Sequence, residues 1–168
     1  MKQTIFIGQA PSSSTRGSKT AFGDSQSGRR LAQLMGLTLE EMHERFEFAN
    51  LVLRYPGPGD SNHPRGDHFP MATARRKAAR MQGRLAGRTV VLVGKNVRDA
   101  FRLLGEYFET GVAFLPRNGA FTYFVIPHPS GISRWWNQPA NVERARRFFE
   151  DELLGARSAG NSRLGQAA

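Results

Sequence analysis

The sequence predicts an α/β protein: a three-layer α/β/α sandwich around a central, mainly parallel, four-stranded sheet. Three observations predict it. Short apolar runs rich in branched side chains alternate with segments of helical spacing, the pattern of a sheet covered on both faces. The chain has 168 residues, the length of one ordinary domain with its own core. Two of the apolar runs end in polar turns, Gly8-Gln9-Ala10-Pro11-Ser12 and His128-Pro129-Ser130-Gly131-Ile132-Ser133-Arg134. In open α/β sheets the carboxyl ends of the strands are where ligands bind.

Residues 4–8 read as a buried strand. A Ser/Gly/Thr-rich loop follows over 9–26. From Ser27, the spacing of Leu31, Leu34 and Met35 predicts a helix that Gly36 ends. Thr38 and Glu41 form a capping-box pattern for a short helix to about Glu44. Phe46 to Leu53 reads as the second strand, and Arg54 to Pro70 as a Pro- and Gly-rich loop. Met71, Ala74, Ala78, Met81 and Leu85 recur at spacings of three and four, predicting an amphipathic helix over 71–86. Thr89 to Val93 is the third strand, ended by Gly94. Val97, Phe101 and Leu104 mark the next helix. Phe121 to Ile126 is the fourth strand. Val142, Ala145, Phe149 and Leu153 mark the last helix. The expected domain spans 1–154, and 155–168 reads as a flexible basic tail.

Lys and Arg number 24 against 14 acidic residues, a net charge of +10. Such a surface attracts polyanions, nucleic acid above all. The charge is unevenly spread: from His68 to Arg98 no Asp or Glu occurs, while Arg and Lys recur eight times. The absence of cysteine excludes disulfides, thiolate zinc sites, cysteine-held iron–sulfur clusters and a cysteine nucleophile. No stretch approaches the roughly 18 apolar residues of a membrane span, and no signal core precedes the first strand. The expectation is a soluble, unprocessed, cytoplasmic monomer with no membrane partner.

The order of four motifs narrows this further. Gly8-Gln9-Ala10-Pro11-Ser12 follows the first strand. Phe22-Gly23 comes next, with Ser27-Gly28-Arg29-Arg30-Leu31 opening a helix. Asn50 stands in Phe48-Ala49-Asn50-Leu51-Val52 at the end of the second strand. His128 to Arg134 follows the last strand. Gly8 to Ser12 alone is a weak signal and His128 to Ser130 alone a moderately informative one, but together and in this order the four strings resemble the uracil-DNA glycosylase superfamily over roughly residues 4–153. The pattern is a mosaic. Ala10 resembles the Gly-x-Ala-Pro branches, among them an iron–sulfur branch whose cluster this cysteine-free chain cannot hold. Pro129 to Arg134 resembles the mismatch-specific uracil glycosylases, which carry Asn where His128 stands.

The resemblance implies an enzyme that flips a nucleotide out of DNA and cuts its base from the sugar. Asn50 has a donor and an acceptor to match uracil's edge. Phe22 offers a flat face for stacking. Gly8 and the main-chain amides of Gln9 and Ala10 complete the base-binding turn. His128 is the candidate donor to the leaving base as it gains charge, a role a neutral imidazole can fill. Where the best-known branch has an Asp to stabilise the sugar cation and deliver water, this chain has Ala10. Asp24 is the nearest acidic candidate in sequence, with a solvated loop residue as the alternative. His63 and His68 lie in the loop after Asn50. Ser130, Gly131, Ile132, Ser133 and Arg134 are expected on DNA, with Ile132 as the wedge that fills the gap left by the flipped base. Trp135 and Trp136 either stack on bases or pack on the last helix. Ser12 stands where the uracil-strict branch has Tyr, so a substituent at C5 is expected to fit.

The expected function is hydrolysis of the N-glycosidic bond of uracil or a related deaminated or C5-modified base in DNA, slowed by Ala10. No metal or organic cofactor is implied. The alternative is a non-catalytic module on the same fold that grips damaged DNA. A third possibility, a hydrolase of free nucleosides or nucleotides, fits the net charge and the Ile132–Arg134 segment less well.

Overall fold

Thr4–Gly8 (β1), Glu47–Asn50 (β2), Thr89–Val93 (β3), Thr110–Phe114 (β4) and Ala120–Ile126 (β5) build one sheet in the order β2-β1-β3-β5-β4. These strands come from a computed structural model that describes residues 2–12, 20–59, 67–116, 119–130 and 133–155. β1, β2, β3 and β5 are mutually parallel; β4 runs antiparallel on the outer edge of β5.

β1, β3 and β5 are buried on both faces, which is why they read as continuous apolar runs rather than as alternating ones. On one face Ile5, Ile7, Val90, Leu92 and Val125 pack with Ala74, Ala78, Val97 and Phe101. Those partners belong to helices Met71–Met81 (α3) and Lys95–Ala100 (α4) and the turn that follows α4. On the other face Phe6, Val91, Val93, Phe124 and Ile126 pack with Leu31, Met42 and Phe148. These come from Gln26–Leu34 (α1), Leu39–Arg45 (α2) and Pro139–Phe148 (α5). Phe6, Ile7, Leu92 and Ile126 are fully enclosed. Side chains of this kind contribute about 1.5–3 kcal/mol each on burial.

Local signals agree with these positions. The Ser25 hydroxyl accepts from the Gly28 amide at 3.0 Å and starts α1. The capping box at α2 is complete: Thr38 Oγ1 accepts from the Glu41 amide at 3.1 Å, and Glu41 Oε2 accepts from the Thr38 amide at 2.8 Å. At the amino edge of the sheet, Arg88 donates to Glu47 Oε2 at 2.7 Å and to the Lys2 carbonyl at 2.6 Å, tying the starts of β1, β2 and β3 together.

The structure departs from the sequence reading in several places. The sheet has five strands rather than four. β4 escapes notice because Val112 and Phe114, its larger apolar side chains, point outward and Ala113 alone of the strand is buried. It pairs antiparallel with β5, the next strand in the chain, with Phe114 opposite Ala120. Second, β2 ends at Asn50 instead of continuing to Leu53. The chain bends there, although the Leu51 and Val52 amides still donate to the Gly8 and Gln9 carbonyls at 3.0 and 2.9 Å. Third, the helix expected over 71–86 is α-helical only to Met81 and closes in a 3₁₀ turn over Gln82–Arg84. The last helix likewise changes pitch, running into a π-helical turn over Phe149–Leu154. The expected tail lies outside the described residues from 156 onward.

Candidate active site

Because β1, β2, β3 and β5 are parallel, their carboxyl ends share one edge of the sheet. That edge gathers Gly8, Asn50, Gly94 and the turn after Ile126, which are far apart in sequence. In the register of β1 and β2, Gly8 lies directly beside Asn50. The space above Gly8 is taken by two side chains. A Cβ on Gly8 would sit 2.6 Å from Asn50 Oδ1 and 2.6 Å from Phe22 Cε2. Glycine is therefore the residue that lets this amide and this ring meet over the end of β1.

Phe22 reaches the site from the loop before α1, with φ at +52°, a left-handed conformation uncommon for an aromatic residue. Its ring lies 6.3 Å from the His128 ring and 6.0 Å from that of Phe48, centroid to centroid. Gly94 closes the same cluster from β3. A Cβ there would lie 3.2 Å from Gln9 Nε2 and 3.6 Å from His128 Cβ. Asn50 is half-buried, and among the described residues its side-chain amide has no hydrogen-bond partner. A donor–acceptor pair is thus held beside an aromatic face without being consumed by the protein.

His128 is the most constrained residue of the group. The Ser130 amide donates to its Nδ1 at 3.2 Å. A nitrogen that accepts carries no proton, so in the neutral ring the proton sits on Nε2. The His128 carbonyl accepts from Trp136 Nε1 at 2.8 Å, which pins the turn to a core tryptophan. Burial pushes the imidazole down to about 4, so the ring is neutral at physiological pH. The result is an oriented, uncharged N–H donor.

The remaining expected residues fall as follows. Ala10 and Ser12 are half-buried in the turn after β1, Ala10 against the core that α3 and α4 share. No carboxylate replaces Ala10 through Asp24: its side chain is 80% exposed and forms an ion pair with Arg29. His68 is exposed, and its amide donates to the Gly57 carbonyl at 2.9 Å. His63, Gly131 and Ile132 lie outside the described residues. Ser130 and Ser133 flank that gap, with the Ser133 amide donating to the Ser130 carbonyl at 3.2 Å. Arg134 is exposed at the start of a 3₁₀ turn over Arg134–Asn137. Trp136 belongs to the core at 4% exposure and Trp135 packs among Tyr107 and Phe108, so both rings serve packing rather than a free stacking surface. Among the described residues no cluster of His, Asp or Glu has the arrangement of a metal site. No helix of the described residues is long and apolar enough to cross a membrane.

Sequence reasoning missed His43, Phe48 and Gly94 as parts of this site. His43 sits on α2, where periodicity marks it only as a half-exposed helix position. Gly94 carries the signal that was legible: a glycine directly after a parallel strand, at the edge where ligands bind.

A comparison with curated proteins finds no match to the chain. The sequence model of the uracil DNA glycosylase superfamily matches residues 2–151, and these include β1 to β5, the helices between them and every described residue of the cluster around Gly8. With the fold, the motif order and this match in agreement, the chain belongs to the uracil DNA glycosylase superfamily.

Proposed function

We propose that this protein is a DNA glycosylase that hydrolyses the N-glycosidic bond of uracil, or of a related deaminated or C5-modified base, after the nucleotide is flipped from DNA. Membership of the superfamily suggests DNA glycosylase activity. One observation carries the finer reading: an uncharged N–H donor on His128, an uncommitted amide on Asn50 and an aromatic face on Phe22 converge at one strand edge.

In this reading Phe22 stacks on the flipped base and Asn50 pairs with the adjacent carbonyl and N–H of its edge. The bond from the sugar C1′ to the base nitrogen breaks, and its electron pair moves onto the base and out to a ring carbonyl oxygen. His128 donates its Nε2–H to that oxygen. The proton need not transfer, because a preorganised donor already stabilises the developing charge. Water adds to C1′ and releases a proton, leaving an abasic site and a free base. Ala10 supplies no carboxylate to the sugar cation, which makes the enzyme slow. Arg134 and the exposed arginines of α3 hold phosphates, and Ile132 fills the vacated stack. The protein acts as a cytoplasmic monomer.

Ala10 also favours a second reading, a module that grips damaged DNA without cutting it. One assay separates the two. Labelled oligonucleotides carrying uracil or other lesions are incubated with the protein and then treated with alkali. Strand breaks at the lesion are expected. A lesion-dependent gel shift without breaks supports the binding module, and neither result supports a hydrolase of free nucleosides. Binding to undamaged DNA should weaken steeply between about 50 and 200 mM salt as counterions are released. A flat response rejects DNA as the partner.

The turn after β1 supplies a gain-of-function prediction. Ala10→Asp should raise uracil excision, by up to about the 10²–10⁴-fold that general-base help usually supplies. Ala10→Asn, similar in size but neutral, should help less. In the same single-turnover assay, Ser12→Tyr should spare uracil and abolish excision of 5-hydroxymethyluracil, because a ring beside C5 blocks the substituent. Proportional loss on both substrates argues against Ser12 as the pocket wall.

A further inference from the structure

We infer that His43 is a positioning residue that locks Phe22 in its base-stacking conformation; the inference rests on the glycosylase reading for its purpose, not for its geometry. His43 Nε2 lies 3.0 Å from the Phe22 carbonyl oxygen. A carbonyl only accepts, so the bond requires the ring proton on Nε2, which makes Nε2 the donor. The bond spans two elements, from α2 to the loop before α1, and falls on a non-glycine residue of the site with a left-handed backbone, φ +52°. Such a conformation in a bulky residue costs roughly 1–3 kcal/mol and persists where its surroundings impose it.

Two further contacts impose it. Gly28 of α1 lies so close beneath the turn that a Cβ there would sit 2.1 Å from the Gly23 carbonyl and 2.5 Å from that of Phe22. The Phe22 carbonyl is therefore enclosed between Gly28 on one helix and the His43 imidazole on the next. The imidazole is itself held: its ring packs 4.6 Å from that of Phe48, a residue of β2 two positions before Asn50. Phe48 in turn faces Phe22 at 6.0 Å. His43, Phe48 and Phe22 thus form a closed loop of contacts in which the base-reading strand and the stacking ring share one support. The backbone of α2 is anchored as well, since Lys2 Nζ donates to the carbonyls of His43 and Phe46. Without the His43 bond, Phe22 loses the contact that aims its carbonyl and with it the direction of its ring toward Gly8 and His128.

Two variants separate the hydrogen bond from simple packing. His43→Phe keeps a ring against Phe48 and removes the donor. His43→Gln keeps a donor and removes the ring. The primary readout needs no activity: the nuclear Overhauser contact between the rings of Phe22 and His128, with circular dichroism to confirm folding. We expect the contact to vanish in His43→Phe and to persist in His43→Gln. Single-turnover excision of uracil from duplex DNA should then fall about tenfold in His43→Phe, with affinity for undamaged DNA unchanged, and return to within about threefold of the parent in His43→Gln. A folded His43→Phe that retains the ring contact overturns the inference, whatever its activity. So does a His43→Gln that loses it. Were the parent inactive on every base while His43→Phe still lost the ring contact, the glycosylase reading would fail and the positioning role would stand.

Discussion

Replacing His128 by alanine is expected to slow base excision by about 10²–10³-fold, the usual worth of one preorganised donor at a developing oxyanion. The fold and the affinity for undamaged DNA should change little. The Trp136 bond goes to the His128 backbone carbonyl, which alanine retains, so the turn keeps its anchor. The pH dependence follows from the same geometry. Burial holds the imidazole at about 4, below its ordinary 6.5, so the folded state disfavours the charged ring. Between those values the unfolded chain binds more protons, and stability rises with pH. The contribution of the neutral ring is fully present above 6.5 and is lost as pH falls toward 4. Excision in the parent should therefore show no His128 titration between about pH 5 and 8. Single-turnover profiles of the parent and His128→Ala check both points. Full activity in the variant would exclude His128 as the leaving-group donor. A parental rate that titrates near 6.5 and loses that limb in the variant would mean that the imidazolium, not the neutral ring, takes part.

The second large effect is expected at Gly8, a residue with no functional group of its own. Gly8→Ala should lower excision about 10²-fold, the scale on which a misplacement of an ångström is felt at a reacting centre. The added methyl group would enter space held by Asn50 Oδ1 and the Phe22 ring, each 2.6 Å away. Both are side-chain ends, so the backbone survives while the amide and the ring are pushed from the base site. The thermal midpoint should hardly move. The two displacements are coupled, so combining Gly8→Ala with Phe22→Leu should cost less than the sum of the two single losses. Parental excision by Gly8→Ala would show that the base does not bind above the end of β1. A large fall in melting temperature would mean that the glycine serves the sheet rather than the site.

Most of the candidate site was legible because its residues stand in short strings at strand ends. Gly8, Asn50 and His128 each follow an apolar run, and parallel strands bring such positions to one edge without further information. Asp24 reads as an acid near Phe22 in sequence, yet it faces solvent beside Arg29, since i to i+5 proximity to a helical arginine outweighs proximity along a loop. The tryptophans show the same limit. Arg134-Trp135-Trp136 reads equally as a DNA contact or as packing, and the choice depended on α5 and on the loop that carries Tyr107 and Phe108.

By itself the sequence determined the α/β class, the parallel core strands, the capping box of α2 and the family, because these follow from local periodicity and from residues whose roles are tied to turns. Tertiary structure decided the antiparallel edge strand β4, whose larger apolar side chains Val112 and Phe114 face outward and leave no core-facing apolar run. It also decided that the proton of His128 rests on Nε2, since that depends on the Ser130 amide, and that His43 reaches the Phe22 carbonyl across two elements. A hydrogen bond between distant segments has no signature in either segment alone. It exists only once packing has brought donor and acceptor together.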